Sequence, residues 1–209
     1  MNINRGIKNL SFEHYFSEAP TSDIILHDFK VFLRTRTYEF ITSSGVFSPK
    51  KIDSGTLFLI ETIDIPIKGK VLDLGTGYGP IGIVIADNCS KCKVTMIDIN
   101  ERAIWLAKEN IKKNNITNAI VMKSNFFEKL KEKKFDLIVS NLPYTLGMEK
   151  IKKINEDIPN HLEVNGNYLI VIPKQQARLI SQLEAIFKKV ITIGKKKGYR
   201  VMNCCGLSN

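Results

Sequence analysis

The stretch KVLDLGTGYGPIG, residues 70–82, reads as an apolar strand ending at Leu74, a turn with Gly75, Gly77 and Gly79, and a helix beginning near Pro80. Glycine lacks a Cβ, so such a turn reaches backbone conformations closed to other residues and lets a ligand lie directly on the main chain. A second stretch, VSNLPY (139–144), follows about sixty positions later at the end of another apolar run. It supplies an amide, a stiff proline turn and an aromatic ring. A glycine turn alone occurs in many nucleotide-binding proteins, and the ordered pair is far more specific.

Outward from 70–82, short apolar runs alternate with amphipathic helical stretches. KVLDLG leads to a helix over 79–90, KVTMID to one over 101–114, and AIVMKS follows; FDLIVSN leads to a helix over about 149–163 and NYLIVIP to one over 174–187. That order predicts a parallel sheet with crossover helices. The end differs, because VITIG (190–194) and YRVMNCC (199–205) are separated by only Lys195, Lys196, Lys197 and Gly198. So short a gap requires an antiparallel hairpin, and the sheet is expected to be mixed.

Residues 1–69 follow another rhythm, with an amphipathic stretch at 22–34, a strand-like run at 38–47 and a helix through 55–63. They are too poor in core residues to stand alone and read as an N-terminal cap over the cofactor crevice. The 209 residues, 44% apolar, are therefore expected to form one domain whose core spans 70–209, with a monomer favoured.

No apolar run approaches the roughly 20 residues needed to cross a membrane, and the start lacks the apolar stretch of a secretory signal, so a cytoplasmic location is expected. A net charge of +10 fits a polyanionic partner such as RNA, although lysines over 129–134 and 150–153 also serve simply to solvate helix faces. Cys89 and Cys92 have zinc-like or redox-like spacing. Neighbouring Cys204 and Cys205 point to opposite faces of a strand and make no second chelating pair, so reduced structural thiols and no metal are the expectation.

Gly77, Gly79 and Gly82 also satisfy a dinucleotide fingerprint, with Asp98 about 20 residues on. Two features argue for a zwitterionic cofactor instead of a nicotinamide one. Asp73, two residues before the first glycine, would accept from an amino group and repel a pyrophosphate. A nicotinamide enzyme also has no need of Asn-Leu-Pro-Tyr at the end of the fourth strand. Asp98 is suited to hold ribose hydroxyls through both oxygens, with Thr76 and Ile99 beside it. Asn125 addresses a purine edge while Phe126 covers its face; for one of Phe126 and Phe127, core packing is the expectation.

In NLPY, the Asn141 side-chain carbonyl and the backbone carbonyl of Leu142 or Pro143 can accept the two hydrogens of an exocyclic amine. That localises the lone pair on nitrogen, while Pro143 stiffens the turn and Tyr144 offers a ring for stacking. Methyl transfer from a sulfonium to such an amine demands orientation and exclusion of water, not a titrating base.

On these residues the chain resembles class I, Rossmann-like methyltransferases whose motif is (Asp/Asn/Ser)-(Pro/Leu/Ile)-Pro-(Tyr/Phe/Trp). More narrowly it is similar to the small methyltransferase domain of ribosomal-RNA guanine-N2 methyltransferases and their stand-alone archaeal relatives. The carrying stretches are HYFSEAPTSD (14–23), SSGVFSPKKIDSGT (43–56), DLGTGYGPIGI (73–83), DINERAIWLAKENIKKNN (98–115), NLPY with Gly147 and Glu149, and KGYRV (197–201). The resemblance implies a doubly wound, seven-stranded mixed sheet with its last strand antiparallel, helices on both faces and an N-terminal cap. It implies S-adenosylmethionine as cofactor, held by Asp73, Gly75, Thr76, Gly77, Gly79, Asp98, Ile99, Asn125, Phe126 and Asn141. It implies that Asn141 to Tyr144 hold the target amine, and that Phe47 and Ser48 lie over the site.

The implied reaction is methylation of guanine N2 in small-subunit ribosomal RNA. Two departures bear on that: Leu142 stands where relatives carry Pro, a form typical of adenine-N6 dimethylating enzymes, and Asn125 stands where Asp is more common. Adenine-N6 and protein glutamine-N5 methylation are the alternatives within the fold, and a non-catalytic, chaperone-like cofactor-binding module is the alternative outside it. Lys195, Lys196, Lys197, Tyr199 and Arg200 combine charge with an aromatic ring and are the expected RNA-holding hairpin.

Overall fold

The computed structural model describes residues 23–176, 178–196 and 198–207. Residues 14–22 and Lys197, both singled out above, lie outside the described residues. After a hairpin of β1 (Leu26–Leu33) and β2 (Arg36–Ser43) comes α1 (Ser54–Thr62). There follow β3 (Gly69–Leu74), α2 (Pro80–Asn88), β4 (Cys92–Asp98), α3 (Glu101–Lys113), β5 (Ala119–Lys123) and β6 (Phe135–Ser140). The chain continues through α4 (Met148–Asp157), β7 (Leu162–Pro173), α5 (Arg178–Ile186), β8 (Phe187–Lys196) and β9 (Tyr199–Leu207).

The main sheet has seven strands in the order β5-β4-β3-β6-β7-β9-β8. Strands β5, β4, β3, β6 and β7 are mutually parallel, and β9 runs antiparallel to both β7 and β8, the expected mixed sheet. The chain builds outward from β3 to β5, then returns to place β6 on the other side of β3. Because crossovers are right-handed, that reversal sends the helices to opposite faces.

Strand residues alternate between two cores. Val71, Met96, Val139 and Val171 pack with α1, α2 and α3, whereas Leu72, Leu74, Ile138 and Ile170 pack with α4 and α5. Both faces of β3 and β6 are buried, which is why these strands read as nearly unbroken apolar runs.

The cap hairpin lies against α3, and its outer strand edge is closed by side chains. Asn110 accepts from the Ile41 N–H at 2.7 Å and donates to the Ile41 carbonyl at 2.8 Å and the Tyr78 carbonyl at 2.8 Å. One turn on, Asn114 accepts from the Glu39 N–H at 3.1 Å and donates to the Glu39 carbonyl at 2.7 Å. Two amides at i and i+4 thus stand in for a neighbouring strand and satisfy an edge that would otherwise stay open.

Several expected boundaries move. The helix expected to reach 163 stops at Asp157, because Pro159 lacks an N–H to continue it; a 3-10 turn over Ile158–His161 then leads directly into β7. The expected 174–187 helix is a 3-10 turn over Lys174–Gln176 followed by α5. The strand-like run 38–47 ends as strand at Ser43. Cys89 and Cys92 form a disulfide, which corrects the expectation of reduced thiols there: Cys89 follows α2, Cys92 opens β4, and the tight connection brings their Cα atoms within 5.3 Å. Cys204 and Cys205 are free, and burial pushes the Cys204 thiol up to about 12.

Asn110→Ala is expected to lower stability by about 1–3 kcal/mol, since it strands the part-buried Ile41 amide and carbonyl. The check is the midpoint of urea unfolding, which should fall with little change in slope.

Candidate active site

The order reversal leaves a crevice where β3 and β6 part at their C-terminal ends, the place where open α/β sheets bind ligands. Here it is a cleft partly open to solvent. Gly75, Thr76 and Gly77 line it, together with Asp98 and Ile99, Asn125 and Phe126, and Asn141 to Pro143. The cap contributes Phe47, Ser48, Asp53 and Thr56. Residues from four strand ends and the cap, far apart in sequence, therefore meet in one cleft.

Asp73 and Gly79 do not line the cleft; both lie beneath the turn. Asp73 is fully buried, and its Oδ2 accepts from the Thr76 hydroxyl at 2.6 Å and the Gly82 N–H at 2.8 Å. Its Oδ1 has no hydrogen-bond partner among the described residues, and burial pushes the carboxyl up to about 7. Gly82 lets this happen, since a Cβ there would come within 2.9 Å of Asp73 Oδ2 and 2.7 Å of Met96. At Gly77, by contrast, φ is +57° and a Cβ would meet nothing within 4 Å, so that backbone faces open cleft.

Asp98 secures the turn from the next strand. Its Oδ2 accepts from the Gly77 N–H at 2.8 Å and its Oδ1 from the Asn100 N–H at 3.0 Å, and burial raises its pKa. Each oxygen keeps acceptor capacity toward the cleft, because a carboxylate offers about four sites. The turn suits a pyrophosphate poorly. Two carboxylates underlie it, Pro80 has no N–H, and the Gly82 N–H is already spent on Asp73.

After β5, Ser124 donates to the Phe126 carbonyl at 2.7 Å and holds Phe126 at φ +47°. A non-glycine residue in that region costs about 1 kcal/mol or more, and such strain concentrates at functional sites. Phe126 lines the cleft, with the Lys150 ammonium 5.6 Å from its ring centre, whereas Phe127 is the core member and stacks on His161 at 4.3 Å. Asn125 donates its amide to Glu128 Oε1 at 2.6 Å, which turns its Oδ1 the other way, buried and unpartnered.

Asn141 donates to Asp53 Oδ2 at 3.0 Å and to Thr56 Oγ1 at 2.8 Å, and Oδ1 remains as the acceptor of this cleft residue. Leu142 is almost wholly buried in the core, and Pro143 sets the turn at φ −73°. Tyr144 does not line the cleft. Its hydroxyl donates to the Val171 carbonyl at 3.0 Å, and burial raises its pKa. Sequence reasoning missed Asp53 and Thr56, although Asp-Ser-Gly-Thr is a helix-start signal that marks Asp53 as an N-cap.

Phe47 and Ser48 lie over the site as expected, and Ser48 is also held at positive φ, +53°. The segment is tied down by Asn100, which donates to the Gly45 carbonyl at 2.9 Å, and by Arg102, which donates to the Ser44 carbonyl at 2.7 Å. Among its described residues, the β8–β9 hairpin does not line the cleft. Its Tyr199 ring packs on Gly55 beside the Asp53 cap, Lys195 is exposed, Lys196 pairs with Glu61 at 2.7 Å, and Arg200 is half-buried.

The model of the methyltransferase small domain matches residues 37–203. The chain is 37% identical over 194 residues to protein YbxB of Bacillus subtilis, covering 91% of this chain and 96% of that one. It is 36% identical over 167 residues to ribosomal RNA small subunit methyltransferase C of Haemophilus influenzae, covering 76% of this chain and 49% of that protein. Thus it spans about half the length of such rRNA methyltransferases. Among solved structures, the 16S rRNA N2 G1207 methyltransferase (RsmC) of Thermus thermophilus, in complex with AdoMet and guanosine, superposes with a TM-score of 0.80 at 23% identity. That match covers 90% of this chain and 52% of that one and shows the shared fold.

A carboxyl whose pKa is raised on folding holds its proton in the native state over a window where the unfolded chain has released it. For Asp73 that window runs from about 4 to about 7, so its contribution to stability is fully present below it and is lost as pH rises through about 7. Urea midpoints measured across that range should fall in the parent relative to Asp73→Asn, the difference steepening toward about 1.4 kcal/mol per pH unit.

Proposed function

The chain belongs to the methyltransferase small-domain family, and on that premise we propose that it methylates N2 of a guanine in RNA, with small-subunit ribosomal RNA as the first substrate to test. The observation that carries this reading is the orientation of Asn141, whose oxygen is left as an acceptor in the cleft. An acceptor there is what an exocyclic amine needs.

The residues present fit S-adenosylmethionine. Gly77 leaves bare backbone for close approach, Asp98 retains acceptor capacity for ribose hydroxyls, and the unpartnered Asn125 Oδ1 suits the amino group of an adenine lying against Phe126. Asp73, beneath the turn, contributes through the Thr76 and Gly82 groups that it holds in place. When bound, this cofactor supplies an electrophilic methyl on a sulfonium.

The chain's own work is positional. Asn141 Oδ1 and the backbone carbonyls of the turn take the amine hydrogens, so the nitrogen lone pair stands out of the ring plane toward the methyl. Pro143 keeps those carbonyls in place, and Leu142 and Phe126 keep water from the reacting atoms. The transient positive charge on nitrogen falls among acceptors. No side chain is required to titrate.

Leu142 favours a second reading, adenine N6, because that position carries an N–H where a proline would have none. Nucleoside mass spectrometry after incubation with labelled cofactor and unmodified ribosomal RNA, tRNA and subunit particles separates the two: N2-methylguanosine supports the leading reading and N6-methyladenosine the second. RNA contact is assigned to the cap rim and to the hairpin of Lys195, Lys196, Lys197, Tyr199 and Arg200, and the work is placed in the cytoplasm, where RNA substrates of this kind are assembled.

Asn141→Ala is expected to reduce transfer by at least about 100-fold while leaving the cofactor Kd within about twofold, as for a contact made to the amine and not to the cofactor. Radiolabel transfer and calorimetry on the same preparation measure both. Charge reversal of Lys195, Lys196 and Lys197 is expected to weaken RNA binding and to lower the slope of log K against log salt by about 2–3, with cofactor affinity unchanged. An unaltered salt slope would remove the hairpin from the RNA-binding surface.

A further inference from the structure

The geometry points to Asp53, acting with Thr56, as the positioning residue that fixes the polarity of the Asn141 amide. Asp53 caps α1: its Oδ1 accepts from the Gly55 N–H at 2.8 Å, and its Oδ2 accepts from the Thr56 N–H at 3.1 Å and from Asn141 Nδ2 at 3.0 Å. Oδ2 also accepts from the Thr56 hydroxyl. Oδ2 is thereby fully engaged, so through it Asp53 acts on Asn141 and not on the substrate.

The direction of every proton in this cluster follows. A carboxylate only accepts. The single hydroxyl proton of Thr56 goes to Asp53, so at 2.8 Å its oxygen must accept from Asn141. The NH2 of the Asn141 amide is thereby turned to this pair of acceptors. Rotating the amide by 180° would set its oxygen against a carboxylate and a spent hydroxyl, three acceptors with no proton among them. Oδ1 is held toward the cleft, and the site accepts from amines and refuses acceptors. This rests on the amine-acceptor reading of Asn141 given above.

Asp53→Asn tests the idea with little cost to the fold, because asparagine caps helices as well as aspartate does. Asparagine at position 53 has one acceptor atom where aspartate has two and carries no charge, so it cannot serve the Gly55 N–H and the Thr56–Asn141 group together, and the hold on the Asn141 amide is lost or weakened. Asn141→Asp places a second carboxylate against Asp53. In the double variant the amide at position 53 donates to the carboxylate at position 141, and that carboxylate offers the cleft an oxygen whichever way it turns.

The experiment measures kcat with labelled cofactor and unmodified RNA, cofactor Kd by calorimetry, and hydrogen exchange of the Asn141 side-chain amide by 15N NMR. Each single variant is expected to lose about 30-fold or more in kcat with Kd held within about twofold, and the double variant to return to within about fivefold of the parent. A double variant no better than the worse single, or Asp53→Asn with parental kcat, overturns the assignment. If the parent methylates no RNA, the proposed function fails by itself. The amide then still decides the positioning role: slow exchange in the parent and fast exchange in Asp53→Asn supports it, and equal exchange overturns it.

Discussion

One carboxylate oxygen organises the centre of this molecule. Asp73 Oδ2, at the end of the middle strand, receives the Thr76 hydroxyl and the Gly82 N–H, and so pins a strand, a turn and the first turn of a helix to one point. Burying a carboxylate there is costly, as its raised pKa shows, and the cost is tolerated because the turn it holds cannot otherwise keep three glycines in positive φ. The Gly77 backbone is then handed on to Asp98, the end of the neighbouring strand. Everything that lines the cleft is placed relative to this pair of carboxylates.

The cap is part of the same construction. Asn110 and Asn114 bind it along the edge of β2, Asn100 and Arg102 bind the segment that follows, and Asp53 and Thr56 reach the amide at the end of β6. Four of these six residues lie on α3 or at one of its ends, so one helix carries both the Asp98 end of β4 and the cap. A displacement of the cap would therefore be felt at two places in the cleft at once. The N-terminal region is not a cover laid over a finished site; it supplies groups that set the polarity of that site.

The parallel order, the antiparallel hairpin, the glycine turn and the amide-proline turn were legible because each is written in local pattern: apolar periodicity, Gly and Pro placement, and loop length. What was not legible depends on partners distant in the chain. Asp53 and Thr56 stand 88 and 85 residues from Asn141, and nothing around them announces more than a helix start. Asn110 and Asn114 read as polar positions near a helix end, whereas the fold uses them as a strand edge. Tyr144 looked like a stacking ring, but the return of β7 beside β6 offers its hydroxyl a carbonyl, and a half-buried phenol takes the hydrogen bond. Amphipathic spacing runs on past 157, but Pro159 ends the helix there. The disulfide was missed because spacing alone does not say that the residues after α2 turn back so sharply.

The chemistry of the site follows from counting donors and acceptors more than from charge. Asp98 and the Asn125 and Asn141 oxygens present acceptors, and the Gly55, Gly77 and Thr56 N–H groups beside them are already engaged. Such a cleft selects a cofactor that carries its own amino groups and a substrate that brings N–H groups, and it repels a pyrophosphate whatever the glycine spacing suggests. The fingerprint that made a nicotinamide enzyme worth considering marks only how closely a helix packs on a strand, because Gly82 is there for Met96 and Asp73. What separates the two classes is where the carboxylates stand. In this chain they stand under and beside the turn, where a phosphate would have to be.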